Sequence, residues 1–116
     1  MKILIAEDDL FSRKLLISTL DRLGHEVVAC SDGVEAWEAY EKDPVQVVVS
    51  DWFMPGMDGL EFCKRVRNYE FKDYTYFIIL TAYSRGKESH TEVMEAGVDD
   101  FLTKPLDSDQ IWVRLR

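Results

Sequence analysis

The chain has only two cysteines, Cys30 and Cys63, far apart in sequence and without a CxxC pair. They read as buried thiols in a reducing cytosol, not as a disulfide framework. Basic residues are also scarce: 14 Lys and Arg stand against 22 Asp and Glu, giving a net charge of −8. That balance excludes the basic footprint that nucleic acid needs, and it disfavours an anionic membrane surface. No apolar run approaches the ~20 residues of a membrane-spanning helix. No signal-peptide pattern opens the chain either, because Met1-Lys2 leads straight into an apolar strand. Repeats with a period of about 20–50 residues are missing, as are low-complexity tracts.

What is present fits one domain with a substantial core: 116 residues, 47% of them apolar. Short apolar runs alternate with helical patterns. Strands are expected at 3–6, 27–30, 45–50, 76–80 and within 99–103. Helices are expected at 10–22, 32–41, 58–67, 87–96 and 107–116, the fourth being the least apolar. Asp32-x-x-Glu35, Asp58-x-x-Glu61 and Asp107-x-x-Gln110 are capping boxes, and Gly24 and Gly97 are helix stops. Five alternations call for a parallel sheet with right-handed crossovers and helices on both faces. The expected fold is a flavodoxin-like three-layer α/β/α sandwich with strand order 2-1-3-4-5, its switch point between the first and third strands, and five helices, the last short or truncated.

The chain is organised around residues 47–59, where three valines run into Ser50-Asp51 and Pro55-Gly56 then forces a turn. By itself Asp51 could be a turn residue or a catalytic acid. The topology puts it in company. Glu7 and Asp8 follow the first strand, Thr81 the fourth and Lys104 the fifth, all on the C-terminal edge of one sheet. Three carboxylates gathered there raise one another's pKa unless a cation intervenes. Hard oxygen ligands with room for water favour Mg²⁺ or Mn²⁺ over Zn²⁺. A metal, a lysine and a hydroxyl around a nucleophilic carboxylate are the parts that phosphoryl transfer needs.

These residues, with Ile3-Leu4-Ile5-Ala6-Glu7-Asp8-Asp9, Asp51-x-x-Met54-Pro55-x-Met57-Asp58-Gly59, Thr81-Ala82 and Lys104-Pro105, resemble the receiver domain of two-component response regulators over essentially the whole chain. The resemblance implies that Asp51 is the phosphoacceptor and that Mg²⁺, replaceable by Mn²⁺, is the cofactor. Asp8 and Asp51 would bind it directly, Glu7 through a water, and Phe53 through its backbone carbonyl. Thr81 would be the switch hydroxyl, with Lys104 and the backbone of Ala82 contacting the phosphoryl group. Phe101 falls at the aromatic switch position, and Lys104-Pro105 is expected to be cis. The implied phosphodonor is a sensor histidine kinase or a histidine phosphotransfer protein. The face made by the fourth helix, fifth strand and fifth helix is expected to bind a partner or to dimerise. Nucleic acid and membrane are not expected as partners of this domain.

Phe53 and Tyr83 flank the implied phosphoryl group, and both are large and carry no acid or amide to orient water, so slow loss of the phosphoryl group is expected. Asp9 is expected at the N-terminus of the first helix, not on the metal. His25 and His90 read as lone surface residues, and Trp37 as a core or helix-face residue. Trp52 would border the site or cover its mouth. The last helix lacks a terminating signal, so residues 1–116 are expected to be the N-terminal part of a longer cytoplasmic protein. The competing readings are a Mg²⁺-dependent aspartyl-nucleophile phosphatase, a flavodoxin-like cofactor binder, whose phosphate Glu7-Asp8-Asp9 would repel, and a scaffold-only receiver.

Overall fold

The computed structural model describes residues 1–82 and 94–115. Five parallel strands, β1 (Lys2–Ala6), β2 (Glu26–Cys30), β3 (Val47–Asp51), β4 (Tyr76–Ala82) and β5 (Asp100–Lys104), form one sheet in the order β2-β1-β3-β4-β5. Helices α1 (Leu10–Arg22), α2 (Gly33–Lys42) and α3 (Gly59–Asn68) and a last helix (Ser108–Leu115) cover it. The expected fold and strand order are therefore observed. Most of the helix expected over 87–96 lies outside the described residues. Its final residues, Met94 and Glu95, are helical, and Gly97 ends the turn at φ 92°.

Each central strand is apolar without interruption because both its faces are covered. Ile3, Ile5, Val47, Val49, Ile78, Leu80 and Leu102 pack with Leu16 and Leu20 of α1 and with Ile111 and Leu115 of the last helix. The alternate residues Leu4, Ala6, Val48, Phe77 and Ile79 face the opposite way, against Ala36 and Tyr40 of α2 and Leu60, Phe62, Cys63 and Val66 of α3. Two cores thus sandwich the sheet, and the period of two along each strand decides which core a side chain joins.

Side-chain caps fix where the helices begin, and so how the sheet-edge loops run. The carboxylates of Asp9, Asp32 and Asp58 accept the amides of Ser12, Glu35 and Glu61, each at 2.8 Å. Asp107 accepts the Gln110 amide at the same distance. Asp9 is thus a helix cap, as expected. Each such cap typically contributes ~1 kcal/mol.

Candidate functional site at the C-terminal edge of the sheet

Parity along the strands decides which strand-end side chains meet. In the β1–β3 ladder Ala6 faces Ser50, so one step further Glu7 stands beside Asp51. Asp51 pairs with Leu80, and Leu80 with Leu102. Lys104, two residues past Leu102, therefore faces the same side from two strands away. Its ammonium donates to Glu7 Oε1 at 2.6 Å and to Asp51 Oδ2 at 3.0 Å. The Trp52 amide donates to Asp51 Oδ1 at 2.9 Å. Both oxygens of Asp51 are thus held before any ligand arrives.

Close packing sets the position of Asp51 as well. Its carbonyl oxygen lies where a Cβ on Gly59 would sit, only 2.2 Å away. The first residue of α3 must therefore be glycine for the helix to approach the end of β3. The adjoining Gly59 amide donates to the Trp52 carbonyl at 2.6 Å.

Glu7 has no solvent exposure, and its Oε2 has no hydrogen-bond partner among the described residues. Burial pushes its carboxyl up to about 8; the neighbouring Asp51 adds to this and Lys104 opposes it. Partial desolvation, helped by Asp51, also raises Asp8. Burial acts to lower Lys104, but hydrogen bonds and charge from Glu7 and Asp51 outweigh it, and its pKa is raised. One oxygen from each of Glu7, Asp8 and Asp51 lies within 4.8 Å of the others. An orphaned buried oxygen, three converging carboxylates and the exposed side chain of Asp8 fit a hard divalent cation that keeps some of its water.

The remaining expected residues are arranged around this cluster. Thr81 is the penultimate residue of β4 and is buried. It pairs with Thr103, and Phe101 pairs with Ile79, so Thr81 and Phe101 share one face of adjacent strands two residues apart. Phe101 is half-buried against the α2–α3 core. The backbone of Ala82 pairs with Lys104, and the Lys104-Pro105 peptide is cis. Phe53, on the loop leaving β3, is 50% exposed. Tyr83, which completes the expected phosphoryl surround, lies outside the described residues, as does His90.

Two expectations need adjustment. Trp52 borders the site through its backbone amide, but its ring does not cover the mouth. Its ring is buried in the α2–α3 core and stacks on Phe53, with centroids 5.0 Å apart. The alternation that turns Asp51 one way turns its successor the other. His25 is not a lone surface residue: its Nε2 lies 2.9 Å from the Leu115 carbonyl. It follows the turn at the foot of α1, and α1 and the last helix pack on the same sheet face. Trp37 is a partly covered helix-face residue, stacked on Tyr40 at 5.9 Å.

Sequence reasoning missed Arg13. Its Nη1 donates to the Glu7 carbonyl at 2.8 Å, from α1 back to the end of β1. No local pattern separates Arg13 from Lys14, so the sequence carried no signal for it.

A five-stranded parallel sheet with an acid pair, an aspartate and a lysine at its C-terminal edge defines the class, and comparison with known proteins gives the family. Residues 3–116 match the model of the response regulator receiver domain, and the chain belongs to that family. It is 38% identical over 108 residues to a chemotaxis protein CheY homolog of Campylobacter jejuni, covering 90% of this chain and 82% of that one. The response regulator MprA of Mycobacterium leprae is 35% identical over 116 residues, all of this chain and 50% of MprA. Among solved structures, the chemotaxis response regulator CheY4 of Vibrio cholerae superposes with a TM-score of 0.91 at 32% identity, covering 98% of this chain and 94% of CheY4. No helix among the described residues is long and apolar enough to cross a membrane.

Proposed function

We propose that Asp51 is the phosphoacceptor of a two-component signalling switch, and that a phosphohistidine on a sensor histidine kinase or phosphotransfer protein is the donor. The observation that carries this is Lys104 held between Glu7 and Asp51 at 2.6 and 3.0 Å. The lysine is already placed to follow an oxygen of the group that Asp51 receives. In the transfer, an Asp51 carboxylate oxygen forms a bond to phosphorus as the phosphorus–nitrogen bond of phosphohistidine breaks. The electron pair returns to the imidazole, leaving an acyl phosphate on Asp51. Glu7, Asp8, Asp51 and the Phe53 carbonyl would hold Mg²⁺, which neutralises phosphoryl oxygens and keeps the donor in line.

Lys104 stabilises the added negative charge. Thr81, the penultimate residue of β4, donates its hydroxyl to a phosphoryl oxygen together with the backbone of Ala82. Phe101 shares a face with Thr81 and follows its movement. The surface of β5 and the last helix then changes its affinity for a partner or a second copy. This is a population shift driven by contacts made only with the phosphoryl group. An aspartyl-nucleophile phosphatase would need an acid two residues after Asp51, and Phe53 stands there.

The test is intact-protein mass after incubation with acetyl phosphate and Mg²⁺. A gain of one phosphoryl group, absent in Asp51→Asn, is expected. Equal gain in Asp51→Asn would sink the assignment. Steady turnover of a generic phosphate ester, abolished by Asp51→Asn, would favour the phosphatase instead.

A further inference from the structure

The peptide that joins Glu7 to Asp8 is tied at both ends of its reach. The Glu7 amide donates to the Cys30 carbonyl on β2 at 3.0 Å. The Glu7 carbonyl accepts Arg13 Nη1 at 2.8 Å. Arg13 is itself fixed by the start of α1, since its amide donates to the Asp9 carbonyl at 2.9 Å and the Asp9 carboxylate caps Ser12. The two acids diverge across this peptide. Glu7 is fully buried, pointing toward Asp51 and Lys104, whereas Asp8 is exposed. Rotation of the peptide plane would swing both carboxylates, and Arg13 is the side chain that pins its carbonyl.

We infer that Arg13 is a positioning residue for the cation-binding acids, an inference that rests on the metal reading of the site given above. Two effects of Arg13 on a bound cation have opposite signs. Its positive charge, near three carboxylates, repels a divalent ion, so a purely electrostatic role makes its removal tighten binding. Its hydrogen bond holds the acid pair in place, so a positioning role makes removal weaken binding. Partners behind metal ligands typically contribute about 10–100-fold in affinity. Solvent and salt screen the repulsion from a partly exposed charge. The positioning effect therefore prevails, and loss of Arg13 weakens binding about tenfold.

The experiment needs no phosphodonor. The whole protein is titrated with Mg²⁺, followed by tryptophan fluorescence because the Trp52 amide touches Asp51. A parallel titration with Mn²⁺ follows the electron paramagnetic resonance of the free ion. Arg13→Gln and Arg13→Met are compared with Lys14→Gln, which removes the same charge one residue away without touching the Glu7 carbonyl. Circular dichroism checks folding, and either Arg13 variant alone carries the comparison. Binding about tenfold weaker in the Arg13 variants, with no weakening in Lys14→Gln, is expected. Arg13 variants that bind as tightly as Lys14→Gln, or more tightly, overturn the inference alone. A parent protein that binds neither ion overturns the metal reading as well.

Discussion

Two cations in this protein sit among partly buried acceptors, and they are treated in opposite ways. At the N-terminal side of the sheet, every side-chain nitrogen of Arg67 in α3 has an acceptor. Its Nε donates to the Gly97 carbonyl at 2.9 Å, Nη1 to the Thr75 carbonyl at 2.7 Å and Nη2 to Asp99 Oδ2 at 2.7 Å. Asp99 is satisfied in turn by the Phe77 amide and the Tyr74 hydroxyl. At the C-terminal edge, Lys104 must serve two carboxylates, Glu7 retains an orphaned buried oxygen, and Asp8 is held above its ordinary pKa. A satisfied network of this kind stabilises one arrangement. An unsatisfied one stores a preference for whatever ligand completes it. Among the described residues, the unpartnered buried carboxylate oxygen lies at the edge where the proposed function adds charge.

Replacing Arg67 by Ala gives the largest expected loss of stability. It removes the cationic partner of Asp99 and a donor from two carbonyls at once, and the unfolding free energy measured in urea should fall by about 3 kcal/mol. Mg²⁺ affinity should stay near that of the parent. A marked loss of Mg²⁺ binding in a folded Arg67→Ala protein would break the division between the two regions.

Glu7 gives a smaller effect with a distinctive pH dependence. Its ordinary value is 4.5 and its folded value about 8, so between these limits the folded chain retains a proton that the unfolded chain has released. Raising the pH across that window therefore destabilises the metal-free protein. Urea midpoints in EDTA should decline from pH 5 to about 8, and Glu7→Gln should flatten the decline. An unchanged slope in Glu7→Gln would mean that the burial of Glu7 is not what makes the site costly.

The smallest effect concerns Phe53, whose half-exposed ring stacks on buried Trp52 beside the acceptor. Phe53→Asn would supply an amide to orient water and should speed loss of the phosphoryl group by a factor of about three, roughly 0.7 kcal/mol of barrier. Timed mass spectra after removal of the phosphodonor measure it. An unaltered lifetime would remove Phe53 from the shielding role and leave the comparison resting on charge alone.

The course of the chain was legible because each of its signals is local. Unbroken valine and isoleucine runs mark strands covered on both faces, and Asp32, Asp58 and Asp107 announce their helices three residues ahead of the amides they cap. Parallel order then follows from alternation, and the same topology gathers Glu7, Asp8, Asp51 and Lys104. The direction of the Trp52 ring was not legible, because one residue of alternation separates the site from the core, and the exit of a strand is where that alternation is hardest to extend.

The sequence by itself therefore determined the strand order, the helix starts and the gathering of acids and lysine at one edge, since these depend on periodicity and on right-handed crossovers. Only the tertiary structure decided that Arg13 closes on the Glu7 carbonyl, that Arg67 joins Gly97, Thr75 and Asp99, and that His25 meets the carbonyl of Leu115. Each of these bonds spans a turn or a crossover and ends on a backbone carbonyl or a distant carboxylate. Every residue carries a carbonyl, so nothing in the sequence marks the one that a long polar side chain will find.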